Sequence, residues 1–374
     1  MKAKLIFFAS VLAIKPITPQ TIYLDWFGDD LRYDKLFQLP EGNGEEYKLL
    51  REKLKIKNIT LTTSPHRGAH QSADIYYGTK YNMPRGASGP ASLNAYFNTY
   101  GKDKFALFLW EPPSVIPENF DREIHKNIKT IFTWADDLVD NQHYFKFFYP
   151  QPKSVHVPTI PFSEKKFCCT VIANKGSTHC NELYSERYKT VAYFDARDLN
   201  DLFGPGWNPA YFRNYKGRVD DKFKLLAHYK FSVCYENIKD IPGYVSEKLH
   251  HCLLAGCVPI YWGASNVTDY VPAECFVDRR NFSSNEELLS FLLSMSEEEY
   301  NNYLDAAKRY LASKEQMLFS DIYFVDCCLK GFIPNYARAE FFNEHEVALL
   351  EELDAIQQKI IKKAKKDRYR TTKN

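Results

Sequence analysis

Along most of the chain, short runs of β-branched and aromatic residues alternate with longer stretches of helical periodicity. Thr21–Trp26, Ala73–Tyr77, Phe105–Trp110 and Ile131–Trp134 each read as a strand closed by polar or Pro-bearing residues. Pro150, Pro152, Pro158 and Pro161 then fall within twelve residues, and proline favours extended, non-helical linkers. Beyond them the alternation resumes: strand at Phe167–Ala173, helix at Glu182–Phe194, strand at Tyr229–Tyr235, helix at Val245–Ala255, strand at Val258–Trp262. Strands separated by single helices predict parallel βαβ units. Ser284 and Ser296, each followed by acidic residues, mark two further helix starts. Val347, Leu350, Leu353, Ile356 and Ile360 recur on one stripe of a C-terminal helix.

This pattern predicts an α/β protein of two units. The expected division is an N-terminal extension at 1–20, a first domain at 21–150, a second at 151–340, and an amphipathic helix with a basic tail at 341–374. The apolar run Leu5–Ile14 has signal-peptide length and is too short to span a bilayer, so it reads as a leader or a buried strand.

Composition narrows the class. With 45% apolar and 26% charged residues over 374 positions, the chain is neither disordered nor a disulfide-stapled miniprotein. The net charge is +2, but eight Lys or Arg against one Asp after Gln358 put a local +7 on the tail. That tail fits either a solvated end or contact with an anionic membrane surface, and nothing points to nucleic acid. Nine cysteines show neither CxxC nor Cys/His ligand spacing, so zinc is not expected. Sequons at Asn58, Asn266 and Asn281 do not establish secretion. The cytoplasm is the expected compartment, with peripheral attachment at the inner membrane; residues 1–20 acting as a leader would instead place the chain in the secretory lumen.

P-loop, GxGxxG, GxSxG, HExxH and Asp-x-Asp signatures are all absent. The chemistry concentrates between Tyr229 and Gly263. There a buried strand ends in Glu236 and Asn237, a Gly-containing turn follows at Pro242-Gly243-Tyr244, and a helix opens at Ser246-Glu247-Lys248. In parallel sheets ligands sit at the carboxyl ends of strands, and helix N-termini attract phosphate. Glu247 can accept from sugar hydroxyls and Lys248 can offer a cation to a diphosphate. An ordinary helix cap with a solvated Glu and Lys explains the same residues.

Tyr229-Lys230-Phe, Glu236-Asn237, Gly243-Tyr-Val-Ser-Glu-Lys248 and Ala255-Gly-Cys-Val-Pro-Ile-Tyr-Trp-Gly263 together resemble the donor-site signature of glycosyltransferase family 10, the α1,3/4-fucosyltransferases, in its bacterial style. Arg187, seventeen residues before Gly204, and Leu109-Trp110-Glu111-Pro112 extend the likeness. The resemblance implies a GT-B fold, two Rossmann-like domains with parallel sheets facing a cleft. It also implies GDP-β-L-fucose as donor, inverting transfer to a glycan hydroxyl in α-1,3 or α-1,4 linkage, and no required cofactor or divalent metal.

By matching position, Arg187, Asn237, Tyr244, Glu247 and Lys248 would hold the nucleotide and diphosphate, with Lys230, Glu236 and Ser246 as secondary candidates. Glu111 would be the general base. A carboxylate at a strand end between apolar neighbours can take the proton of an attacking hydroxyl, although a Glu that merely caps a strand exit reads alike. Glu118, Asp136 and Asp137 are the rival bases. The expected acceptor is GlcNAc or Glc within a β-galactoside-containing surface glycan, oligosaccharide or lipid-linked. The alternatives are a transferase for another GDP-deoxysugar and a catalytically inactive glycan-binding protein.

Overall fold

The computed structural model describes residues 21–25, 31, 33–40, 42–63, 75–78 and 105–371. The Leu5–Ile14 run and the Phe27–Asp30 loop lie outside the described residues. Two parallel sheets form the frame. The first runs β2 (Thr60–Thr62), β1 (Thr21–Asp25), β3 (Ile75–Gly78), β4 (Phe105–Leu109), β5 (Thr130–Thr133), β6 (Tyr144–Lys146). The second runs β11 (Val277–Asp278), β10 (Val258–Trp262), β9 (Tyr229–Tyr235), β7 (Lys166–Val171), β8 (Asn200–Phe203). Every pairing in both is parallel.

The central strands explain themselves. All five residues of β4 and six of the seven in β9 are buried, as sheets covered on both faces require. The short strands β2, β6, β8 and β11 escaped the sequence pattern, because two to four residues show no usable period. Ser246 caps α5 (Glu247–Leu254) and Ser284 caps α6 (Asn285–Ser294), preceded along the chain by α1 (Glu45–Lys55), α2 (Arg122–His125), α3 (Tyr184–Asp195) and α4 (Lys222–Ala227). Ser296 and Glu299 close a full capping box at the start of α7 (Glu297–Leu311).

The chain then crosses back. The helix α8 (Asp321–Phe332) packs on the first sheet, although its place in the sequence lies within the expected second domain. Its Phe324 ring stands 5.8 Å from that of Phe108 and 5.7 Å from that of Tyr47. Gly331 approaches Phe132 so closely that a Cβ there would lie 2.6 Å from the ring, which only glycine permits. Eight of its twelve residues are buried, without a break from Tyr323 to Leu329, so the helix is covered all round and shows no single apolar stripe.

The last helix, α9 (Glu344–Thr371), spans both units. Leu350, Leu353, Ile360, Ile361 and Ala364 are buried against the body, each large side chain contributing about 1.5–3 kcal/mol. Lys363 pairs with Asp269 of the second unit, while Arg368 pairs with Asp137 and Lys365 donates to the Val139 carbonyl in the first. The apolar stripe is thus spent on the protein itself, and Lys362 and Lys366 remain exposed.

Candidate active site

The carboxyl ends of β4, β5, β9 and β10 meet along the seam between the two units. Gly243 makes the approach possible: its φ is +89°, and a Cβ there would collide with the Trp134 carbonyl oxygen and the Asp136 carboxylate. The seam is held by a buried ion pair, Lys146 Nζ to Asp136 Oδ1 at 2.6 Å, with Asn266 Nδ2 donating to the other Asp136 oxygen at 2.9 Å. Asp136, one of the rival bases, is thus fully engaged in structure, and Asp137, another, pairs with Arg368. Asn266, one of the three sequon residues, spends its side chain here as well.

Glu236 is the pivot of the donor side. It has no solvent exposure, and its carboxylate accepts from Ser246 N at 2.8 Å, Ser246 Oγ at 2.7 Å and Lys248 Nζ at 3.1 Å. Ser246 Oγ also receives Lys248 Nζ at 3.0 Å, so the first turn of α5 is clamped to the end of β9. Burial works against the Lys248 charge, but the carboxylates of Glu236 and Glu247 outweigh it and hold its pKa above the usual range. Lys248 is a fixed, charged ammonium at a helix N-terminus. Glu247 keeps 42% of its side chain exposed; crowding opposes its charge, yet Lys248, Lys222 and His251 bring its pKa down to about 2.

Arg187 rises from α3 and is 2% exposed. Its Nη2 donates to the carbonyls of Tyr235 and Glu236 at 2.8 and 2.9 Å and to Asn237 Oδ1 at 3.3 Å. Its Nε finds no hydrogen-bond partner among the described residues. Asn237 joins both units, its carbonyl accepting from Ser114 Oγ at 3.1 Å and from Leu183 N at 3.2 Å.

Glu111 lies just beyond β4 on the opposing lip. Burial raises its pKa, while Lys248 and Lys175 pull it back. It shares an electrostatic neighbourhood with Glu236, Glu247 and Lys248 across the seam. Of the rival bases, Glu118 is exposed in a 3₁₀ turn at Pro117–Phe120.

One expectation changes. Lys230 sits six residues before Glu236 at the opposite end of β9, about 20 Å away at the rise of a strand. Its ammonium lies 3.5 Å from the centroid of the Phe162 ring, so it belongs to the outer face of the second unit and leaves the candidate list. Tyr244 is as buried as Arg187, its ring packed in the seam 4.5 Å from Trp134 and 6.1 Å from Tyr149. Lys175, after β7, escaped notice; its position at a strand's carboxyl end was the available signal.

All nine cysteines are free, and no cluster of three or more His, Cys, Asp or Glu among the described residues could hold a metal. A cavity of about 600 Å³ is lined by Phe120, Arg122, Asp137, Asp240 and Arg368, among others, and by neither Glu111 nor Lys248.

Residues 162–331 match the family described as glycosyltransferase family 10 (fucosyltransferase) C-term. The chain is 41% identical to an α-(1,4)-fucosyltransferase of Arabidopsis thaliana over 73 residues, covering 20% of this chain and 18% of that one. It is 32% identical to the α-(1,3)-fucosyltransferase FucT of Helicobacter pylori over 115 residues, 30% of this chain and 23% of that one. These matches span about a fifth of the length of the relatives. A crystal structure of an α1,3-fucosyltransferase superposes with TM-score 0.53 at 16% identity, covering 89% of this chain and 94% of that one. The Anabaena protein HepE in complex with UDP and glucose superposes with TM-score 0.51 at 9% identity, covering 84% and 99%. At those identities the likeness concerns the fold, which is GT-B.

Proposed function

We propose that the chain is a member of glycosyltransferase family 10, whose model matches residues 162–331, and that it transfers L-fucose from GDP-β-L-fucose to a glycan hydroxyl, inverting the anomeric carbon. One arrangement carries this reading: the Glu111 segment, tied by Ser114 to the Asn237 carbonyl, lies within electrostatic reach of Lys248, the cation that Glu236 and Ser246 hold at the start of α5. An inverting displacement needs a carboxylate and a cation on opposite sides of the reacting carbon. The acceptor oxygen bonds to C1 of fucose as the C1–O bond to the β-phosphate breaks. Its proton passes to Glu111, and the departing GDP carries the electron pair.

Lys248 stabilises the charge growing on the β-phosphate, preorganised by Glu236 and Ser246. Arg187 keeps the end of β9 rigid beneath it and offers its unpartnered Nε to the diphosphate. Glu247, anionic and half exposed, accepts from ribose hydroxyls. Asn237 frames the same strand end, with its Oδ1 already taken by Arg187. With these cations in place the phosphate charge is met by side chains, so transfer proceeds without a divalent metal.

The acceptor reading is a GlcNAc or Glc unit of a β-galactoside-containing glycan, linked α-1,3 or α-1,4. The 1–20, 21–150, 151–340 and 341–374 division stands as a proposal for the chain's organisation, with α8 returning to the first unit. No helix among the described residues is long and apolar enough to cross a membrane. Because the α9 stripe is buried, attachment to an anionic membrane would rest on exposed basic residues alone.

The deciding experiment incubates purified protein with GDP-fucose and β-galactoside or N-acetyllactosamine acceptors, with and without EDTA. A mass gain of one deoxyhexose with stoichiometric GDP release, undiminished by EDTA, supports the reading. Binding of other GDP-deoxysugars in preference to GDP-fucose would move the donor assignment, and binding of none would overturn it.

A further inference from the structure

The residue before the base has both of its backbone polar groups occupied. Trp110 N donates to the Phe108 carbonyl at 2.9 Å, a tight turn that ends β4. The Trp110 carbonyl in turn accepts from the Tyr149 hydroxyl. The Trp110 carbonyl and the Glu111 amide share one rigid peptide plane, so a bond to that oxygen fixes where the Glu111 Cα stands. Pro112 restricts the other side of Glu111.

Tyr149 is itself locked. Its ring meets Trp110 edge-on at 4.9 Å, Phe147 at 5.5 Å and Tyr244 at 6.1 Å. Gln151 Nε2 donates to the Tyr149 carbonyl at 2.9 Å, and Gln151 N to the Phe319 carbonyl at 2.7 Å. Burial keeps the phenol protonated, so it acts as a donor and not as a base. Tyr244, its neighbour, belongs to the turn that leads into Glu247 and Lys248.

We propose that Tyr149 is a positioning residue that orients Glu111 by holding the Trp110–Glu111 peptide plane, and that through its ring contact with Tyr244 it keeps the base in register with the donor loop. This rests on Glu111 being the base of the transfer reaction. It differs from a packing role in what it changes: the geometry and titration of Glu111, at unchanged donor affinity.

Tyr149→Phe keeps the ring and removes the hydroxyl, and with it the bond to the Trp110 carbonyl and the one shared with Tyr244. Transfer kinetics are measured from pH 4.5 to 8 for variant and wild type, together with GDP-fucose affinity by calorimetry and the ratio of donor hydrolysis to transfer. The expected result is a kcat about tenfold lower, a KM for GDP-fucose within about twofold, an acidic limb displaced to lower pH as water reaches Glu111, and a raised hydrolysis ratio. The limb and the ratio do not depend on the fraction of folded protein, so a destabilised preparation still decides. A limb and ratio like the wild type's would overturn the inference alone. A wild type that transfers to no acceptor, or a fully active Glu111→Gln, overturns the reading of Glu111 and this inference with it.

Discussion

Lys248 Nζ lies 3.1 Å from Glu236 Oε2, and Glu236 has no solvent exposure. A buried carboxylate thus holds the cation that faces the cleft. Glu236→Gln keeps the shape but removes the charge, leaving Lys248 without its strongest orienting partner. Breaking one side of a buried pair costs about 3–5 kcal/mol. Part of that is expected as lower thermal stability, and part as weaker GDP-fucose binding in calorimetry. Retained stability with wild-type affinity would show that Ser246 and Glu247 suffice to hold Lys248.

Glu111→Gln tests the base directly. Transfer is expected to fall by roughly 10²–10⁴-fold, while GDP-fucose affinity stays near that of the wild type. Because burial raises the Glu111 pKa, the wild-type rate is expected to climb with pH on a limb above the ordinary carboxylate range. That limb should vanish in the variant.

Gly243→Ala places a methyl group against the Trp134 carbonyl and 2.8 Å from the Asp136 carboxylate, at a positive φ. A destabilisation of about 1–3 kcal/mol is expected in urea unfolding. Since the same turn leads to Lys248, KM for the donor should rise in parallel. A stable variant with unchanged KM would mean that the seam tolerates the separation.

Glu46 on α1 supplies a pH dependence far from the site. Burial pushes its pKa up to about 7, with Asp321 and Glu45 adding repulsion, and Asp321 is itself raised to about 6 by burial. A raised acid favours the folded state when protonated. Its contribution is therefore fully present below about pH 4.5 and lost as pH rises through 7. Thermal melts should show a midpoint lower at pH 8 than at pH 5, and Glu46→Gln should flatten that slope. Identical slopes in variant and wild type would refute the assignment.

Removal of residues 363–374 deletes the Lys363, Lys365 and Arg368 contacts that bridge the units. The basic partners are exposed while Asp269 and Asp137 are largely covered, so the loss is expected to be modest, about 1–2 kcal/mol, and smaller at 0.5 M salt. The apolar stripe through Ile361 stays in place. A collapse of the fold on truncation would show that these contacts carry more than exposed pairs normally do.

The sequence by itself determined the parallel α/β plan, the central strands β4, β9 and β10, the capped helices after Ser246, Ser284 and Ser296, and the cluster around Glu236 to Lys248. Each of these is written in local periodicity or in neighbours within a dozen residues, where spacing alone dictates which side chains share an end or a face. What the tertiary structure decided was everything that depends on contacts between distant segments. It exiled Lys230 to the wrong end of its own strand, turned Tyr244 inward, brought Lys175 toward Glu111, folded α8 back onto the first sheet and set Tyr149 under the base. A hydrogen bond between residues 39 positions apart, or a ring buried by a second domain, leaves no period in the chain. Only closing the two sheets around Gly243 chooses which polar groups face each other.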